Sequence, residues 1–254
     1  TQESPQLINL NDSNPVQIKQ ENPFETSKVK RKLKTKDCRV LFLYPNERGM
    51  STIPPSITSL SQILKDEGHQ TALFDTTFYK FDDEISIEDS EVTKSKSLEN
   101  RPVLERDDDD IHFKKTTRSA ILDFEASIEN FKPDFIAVSC TETTFLRAIK
   151  LIDQTRHKNI KNLFGGVFPT FAPDLVMNYK NVDMICVGEG ENAIIDLANS
   201  ISNNEDYSNV TNLWIRQNDG KITKNSISRP VDINEIPVIT DIALFGEKRF
   251  YRPM

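Results

Sequence analysis

Short apolar runs of strand length alternate with segments of helical periodicity along most of the chain. Between the runs, apolar residues recur three and four positions apart, as at Ile57, Leu60 and Ile63. The runs themselves are nearly continuous, which is typical of strands that are covered on both faces. They are Cys38–Tyr44, Gln70–Phe74, Phe135–Cys140, Asn162–Phe164 and Met184–Val187.

This alternation predicts an α/β domain over residues 38–203, with a parallel sheet that has helices on both faces. The simplest order for such a doubly wound, five-stranded sheet is 2-1-3-4-5, the flavodoxin-like variant of the Rossmann type. Helices are expected between the strands, including Ile57–Glu67 with Ser56 as its cap, Phe145–Thr155 and Phe171–Tyr179.

Three segments fall outside this pattern. Residues 1–37 are polar and have no sustained period, so we expect a disordered tail whose basic run, Lys28–Lys36, is a solvated linker. Residues 80–118 form an acidic insertion, which is either a solvated, partly helical excursion or a lid over the strand ends. In residues 204–254, the Asn218-Asp219-Gly220 turn predicts a β-hairpin, followed by a linker toward a further domain.

Charge and composition exclude several classes of protein. The net charge is −7 and no basic stripe lies in the predicted domain, so we expect no nucleic-acid partner. No run approaches the ~18 apolar residues of a membrane helix, and the polar start lacks a secretory signal, so we expect a cytoplasmic chain that does not contact membranes. Cys38, Cys140 and Cys186 lie at predicted strands, which favours buried, reduced thiols, and their spacing excludes a local cysteine cluster. His69, His112 and His157 are expected at the surface.

The candidate functional residues follow from the predicted topology. In an open parallel sheet, ligands bind at the carboxyl ends of the strands. We therefore expect a ligand site built from the segments that follow four of the strands. Its residues are Pro45 and Asn46; Ser139, Thr141 and Glu142; Gly165, Gly166, Val167, Phe168 and Pro169; and Gly188, Glu189 and Gly190.

Each of these segments has an alternative, purely structural explanation. Gly165-Gly166 can let a ligand approach the backbone, or can simply form a tight turn. The hydroxyls of Ser139, Thr141 and Thr143 can bind a ligand or cap the next helix. Glu191, next to the acidic-glycine loop, can serve the site or stabilise a helix N-terminus.

The same residues resemble a known family. The resemblance rests on Leu43-Tyr44-Pro45-Asn46 with Pro54-Pro55, Ser139-Cys140-Thr141, Phe164-Gly165-Gly166-Val167-Phe168-Pro169-Thr170 and Val187-Gly188-Glu189-Gly190-Glu191. These segments, in this order, are similar to the N-terminal cobalamin-binding domain of cobalamin-dependent radical SAM enzymes. The resemblance covers about residues 39–201, and residues up to 254 resemble the family's connector.

The resemblance implies a cobalamin ligand, with its dimethylbenzimidazole tail near Ser139, Thr141 and Gly165-Gly166. Related mutases carry a cobalt-ligating histidine in the loop after the first strand. Here that loop reads Asn46-Glu47-Arg48-Gly49, which implies base-off cobalamin without a protein histidine on cobalt. The family's Cys-x-x-x-Cys-x-x-Cys motif is not in this sequence, so a [4Fe–4S] cluster and S-adenosylmethionine are expected only in a radical SAM domain, in cis or in trans.

The expected function is therefore a cobalamin-binding module of a radical SAM enzyme for methyl transfer, and not a catalyst by itself. Two alternatives remain open. The first is a non-catalytic flavodoxin-like interaction domain without a corrinoid. The second is another flavodoxin-like protein, such as a signalling receiver or a flavin carrier, although Asn46 and Gly188-Glu189 stand where a receiver needs acids and a lysine.

Overall fold

The computed structural model describes residues 36–46, 53–79, 81, 116, 118–232, 234, 236–237 and 240–246. The predicted tail, apart from Lys36 and Asp37, lies outside these residues. So does the predicted insertion, apart from Phe81, Thr116 and Arg118.

The strands form one mixed sheet in the order β2-β1-β3-β4-β5-β6-β7. The first five are parallel, and the predicted flavodoxin-like order 2-1-3-4-5 is confirmed. The predicted hairpin is also present, and it extends the sheet as an antiparallel edge. The strands are β1 Arg39–Tyr44, β2 Gln70–Asp75, β3 Phe135–Ser139, β4 Lys161–Gly165, β5 Met184–Cys186, β6 Leu213–Arg216 and β7 Ile222–Lys224.

Helices connect the parallel strands and cover both faces of the sheet. They are α1 Pro55–Asp66, α2 Ala120–Phe131, α3 Glu142–Gln154, α4 Val167–Phe171, α5 Pro173–Met177 and α6 Glu191–Ser202. Short 3₁₀ turns lie at Thr76–Phe78, Arg156–Lys158 and Ile242–Phe245. No helix among the described residues is long and apolar enough to cross a membrane.

The apolar side chains form one core on each face of the sheet. On one face, Leu41, Ile136 and Phe164 of the strands pack against α2, α3 and α5. On the other face, Phe42 and Leu163 pack against α1, α6 and the C-terminal 3₁₀ turn. This division explains the continuous apolar runs, because residues on both sides of each central strand are buried.

Several local expectations were wrong at the helix ends. The N-cap of α1 is Pro54, so Ser56 lies inside the first turn. Helix α3 begins at Glu142, before the predicted Phe145, because polar residues form its first turn. The predicted helix Phe171–Tyr179 is two short helices, since Pro173 lacks the amide hydrogen that would continue α4.

His69 is buried, which contradicts the expectation of a surface residue. Its Nδ1 accepts a hydrogen bond from the Cys38 backbone N–H (3.1 Å), and its Nε2 lies 3.2 Å from Asn199 Oδ1. The imidazole thus joins the start of β1 to α6. A histidine after a helix-ending glycine looks exposed in the sequence, and only α6, far along the chain, encloses it.

Gly166 makes the tight turn from β4 into α4. Its φ of +107° and ψ of −166° lie in a region that is essentially restricted to glycine. A Cβ at this position would lie 2.6 Å from the Cys140 carbonyl oxygen. The chain therefore needs glycine here for its own folding, whether or not a ligand binds. Gly165 differs, because an added Cβ would make ordinary contacts at 3.9 Å and 4.0 Å.

We predict that Gly166→Ala lowers the free energy of unfolding by about 3 kcal/mol or more, through backbone strain and the contact with Cys140. Two controls separate these causes in urea denaturation. Gly220→Ala has positive φ with no atom within 4 Å, so it should cost about 1 kcal/mol from strain alone. Gly165→Ala should have less effect than either. Equal losses for Gly166→Ala and Gly220→Ala would show that the contact with Cys140 is unimportant.

The cysteines are free and buried, as expected from their positions in strands or next to strand ends. Burial raises the pKa of each thiol from 9.0 to about 12, and at Cys38 the negative charge of Asp134 contributes to this rise. Because the thiol pKa is higher in the folded chain than in the unfolded chain, protonated thiols favour the folded state. This contribution to the free energy of unfolding is complete below about pH 9, where the thiols are neutral in both states, and is lost as the pH rises toward 12.

We therefore expect the native chain to react with a thiol reagent at pH 8 about a thousandfold more slowly than the unfolded chain, because a pKa of about 12 leaves little thiolate and burial restricts access. Thiol titration in buffer and in urea measures this difference. Urea denaturation between pH 8 and pH 11 should also show falling stability. Fast labelling of any cysteine in buffer would contradict its burial.

Candidate functional site

The four predicted site segments meet at the carboxyl edge of the sheet. Ser139 pairs with Gly165 at the last position of the β3–β4 register. The Cys140 backbone N–H donates to the Gly165 carbonyl (3.1 Å), and the Gly188 N–H donates to Thr170 Oγ1 (3.2 Å). The sheet therefore brings the segments after β3, β4 and β5 together, and the end of β1 lies beside β3.

The segment after β3 presents hydroxyl groups. Ser139 is half-buried, and its hydroxyl has no hydrogen-bond partner among the described residues. Thr141 and Glu142 are exposed, and Glu142 belongs to the first turn of α3. The Thr144 hydroxyl, which was not among the predicted site residues, accepts from the Thr141 N–H (3.0 Å). Helix capping therefore occupies Thr144, and the Ser139 hydroxyl can still bind a ligand.

The segment after β4 contains both buried and exposed side chains. Phe168 is half-buried against Phe145, with ring centroids 5.1 Å apart, and Pro169 is buried. Val167 is 62% exposed, and Phe171, one helical turn later, is 83% exposed. Phe168 and Pro169 thus anchor α4 to the protein, while Val167 and Phe171 present apolar surface at the edge of the site.

The acidic-glycine loop after β5 is tied to the C-terminal segment. The Glu189 carboxylate accepts from the Val231 backbone N–H, and its carbonyl accepts from Asn212 Nδ2 (2.8 Å). Gly190 is the N-cap of α6. Glu191 lies in the first turn, where an acid stabilises the helix N-terminus, and its Oε2 is buried without a hydrogen-bond partner in the described residues.

Asn212 organises this loop and was not predicted from the sequence. It has a left-handed backbone (φ +70°), and its Oδ1 accepts from the Ser228 N–H (2.6 Å). Its backbone carbonyl accepts from the Val187 N–H (2.9 Å). One asparagine therefore connects the end of β5, the loop that follows it and the segment after the hairpin. An asparagine just before a strand is the available sequence signal, because asparagine tolerates positive φ.

At the end of β1, Pro45 and Asn46 are both buried. The Asn46 carbonyl accepts from Thr76 Oγ1 (2.8 Å) and from Arg147 Nη1 (2.8 Å). Its Nδ2 donates to Thr77 Oγ1 (2.8 Å). The Asn46 side chain thus supports the end of β2. Sequence reasoning missed Arg147, although a charged residue on the apolar stripe of a predicted helix was a usable signal.

A separate depression of about 220 Å³ lies at the opposite end of β4 and β5. Its lining includes Asp183, which accepts from Arg156 (3.0 Å) and lies 3.3 Å from Lys161 Nζ. These charged groups pair with one another, so the depression is a weaker candidate for a ligand site than the carboxyl edge. Among the described residues, no group of three or more His, Cys, Asp or Glu side chains could hold a metal ion.

Part of the chain matches a known protein family. Residues 103–198 match the B12 binding domain family. This range includes the segments after β3, β4 and β5. No curated protein sequence matches the chain.

Solved structures share the fold. The cobalamin-dependent S-adenosylmethionine radical enzyme OxsB, with aqua-cobalamin and S-adenosylmethionine bound, aligns with TM-score 0.53 and 16% identity over 82% of this chain and 25% of that chain. The radical S-adenosylmethionine methyltransferase TsrM from Kitasatospora setae, with cobalamin and a [4Fe–4S] cluster bound, aligns with TM-score 0.53 and 16% identity over 79% of this chain and 31% of that chain.

At such low identity these alignments establish the fold, and the chain spans about a quarter to a third of the length of these solved structures. The resemblance predicted from the strand-end segments is confirmed. The chain is similar to the cobalamin-binding part of cobalamin-dependent radical SAM enzymes, through its B12 binding domain match and its fold.

Proposed function

We propose that this chain binds cobalamin at the carboxyl edge of its sheet and presents it to a radical SAM domain for methyl transfer. One observation carries the proposal. The residues that match the B12 binding domain family include Ser139–Glu142, Gly165–Pro169 and Gly188–Gly190, and the fold gathers these segments at one edge. The whole-enzyme activity is inferred from OxsB, a cobalamin-dependent S-adenosylmethionine radical enzyme, and from TsrM, a radical S-adenosylmethionine methyltransferase.

The residues at this edge fit a corrinoid with a nucleotide tail. Ser139 offers a half-buried hydroxyl without a partner among the described residues, whereas the exposed Thr141 hydroxyl lies 3.0 Å from that of Thr143. Gly165 pairs with Ser139 across β3 and β4 and has no side chain, so a flat heterocycle can approach the backbone there. Bound cobalamin supplies a cobalt atom that carries the methyl group, and the chain's residues hold and shield the cofactor.

The positions of the described histidines support a cofactor without a protein histidine on cobalt, and the base-off state is proposed from the resemblance alone. His69 precedes β2 and His157 precedes β4, so both lie toward the amino ends of the strands. The residues that end β1, β3, β4 and β5 include no histidine. In this proposal, the [4Fe–4S] cluster and S-adenosylmethionine belong to a radical SAM domain, in cis or in trans.

A non-catalytic interaction domain remains the second candidate. The exposed apolar side chains of Val167 and Phe171 favour it, because a partner protein could cover them. The requirement of Gly166 for folding also means that the double glycine does not by itself indicate a ligand. Cobalamin retention separates the two candidates.

We expect the purified 254-residue chain to retain hydroxocobalamin and methylcobalamin after desalting, with a base-off absorption spectrum. Ultraviolet–visible titration measures both the affinity and the spectrum. Circular dichroism shows whether the chain is folded. A folded chain that retains neither corrinoid would exclude cobalamin binding by this chain and favour the interaction domain.

Ser139→Ala should weaken cobalamin binding about fivefold, because a typical hydrogen bond contributes about 1 kcal/mol. Ser127→Ala is the matched control. The Ser127 hydroxyl donates to the Asp123 carbonyl (2.8 Å) within α2, away from the proposed site, so cobalamin affinity should stay unchanged. Equal affinities for both variants would remove Ser139 from the proposed site.

A further inference from the structure

Arg147 is a buried cation that reaches from α3 to the end of β1. The residue is 7% exposed, and its Nη1 donates to the Asn46 carbonyl (2.8 Å). The Phe81 ring lies over the guanidinium, with the Cζ atom 4.5 Å from the ring centroid. Phe81 is itself buried, so the hydrogen bond is shielded from water.

The Asn46 carbonyl oxygen accepts hydrogen bonds from side chains of two other elements. Thr76 Oγ1 donates to the same oxygen (2.8 Å), and Thr77 Oγ1 accepts from Asn46 Nδ2 while donating to Asp75 Oδ1 (2.6 Å). The end of β1 is therefore fixed to the end of β2 by hydroxyl groups. Arg147 adds the connection from this point to α3, which begins directly after the Ser139–Thr141 segment.

An arginine is not required here to fill the core. The buried face of α3 is otherwise built from residues such as Phe145, Ala148 and Leu151. Burying a guanidinium among them costs desolvation energy, and an apolar side chain would avoid this cost. At the end of β1 the guanidinium provides a charge-assisted hydrogen bond to the Asn46 carbonyl, which an apolar side chain could not make.

We infer that Arg147 is a positioning residue for the cobalamin site, an inference that rests on the proposed function. Through the Asn46 carbonyl it sets the exit of β1 relative to the Ser139–Thr141 segment. These are two of the segments between which the cofactor would lie. Arg147 contacts the Asn46 carbonyl and the Phe81 ring, and in this inference it acts on the ligand through the Asn46 carbonyl.

The test compares Arg147→Met and Arg147→Lys with Arg216→Met in the full chain. Arg216 is a matched control, because it also donates to backbone carbonyls, those of Val182 (3.0 Å) and Tyr179 (3.1 Å), at the opposite end of the sheet. Each variant is characterised by urea denaturation and hydroxocobalamin titration. Hydrogen exchange of residues 42–46 provides a readout that does not depend on the cofactor.

We expect Arg147→Met to weaken hydroxocobalamin binding about tenfold, from loss of a charge-assisted hydrogen bond, and to speed exchange at residues 42–46. Arg147→Lys, which keeps one donor, should recover part of both effects. Arg216→Met should lower stability but change the affinity less than about twofold, because its contacts lie away from the site.

Other outcomes overturn the inference in distinguishable ways. If the unaltered chain binds hydroxocobalamin and Arg147→Met binds equally well, Arg147 has only a structural role and the proposed function stands. The same conclusion follows if Arg216→Met weakens binding as much as Arg147→Met does. If the unaltered, folded chain binds no hydroxocobalamin, the proposed function fails and the inference fails with it.

Discussion

The burial of the parallel sheet on both faces is the constraint on which the rest of this structure depends. Helices α2 and α3 cover one face and α1 and α6 cover the other. These helical connections also keep the five strands parallel, so every loop that leaves one of these strands emerges at the same carboxyl edge. Residues that are far apart in the chain, such as Asn46, Ser139 and Gly188, meet there for this reason.

The carboxyl edge is held in shape by polar groups that bond to the backbone. Arg147 and Thr76 both donate to the Asn46 carbonyl, Thr144 accepts from Thr141, and Asn212 joins the loop after β5 to the hairpin. Buried backbone groups need such partners, and loops cannot obtain them from a strand ladder. The same contacts decide which site groups are still available to a ligand. The Ser139 hydroxyl is available, whereas the Glu189 carboxylate bonds to Val231.

The double glycine illustrates why fold and function need separate tests. In the sequence, Gly165-Gly166 indicates either a ligand or a turn. In the structure, Gly166 is required by its positive φ and by the nearby Cys140 carbonyl, whereas Gly165 has room for a Cβ. If one of these two glycines lets a ligand approach the backbone, it is therefore Gly165. The proposal of cobalamin binding draws its support from the matched family and from the gathered segments, and not from Gly166 alone.

The sequence by itself determined the parallel core, its strand order and the positions of the site segments. It could do so because the apolar pattern within each segment shows which of its residues are buried. It also supported the resemblance to a cobalamin-binding domain, through residues at the strand ends. Only the tertiary structure decided the burial of His69, the contact of Arg147 with Asn46 and the role of Asn212. Each of these depends on a partner from a distant part of the chain, and the local pattern of polar and apolar residues does not identify that partner.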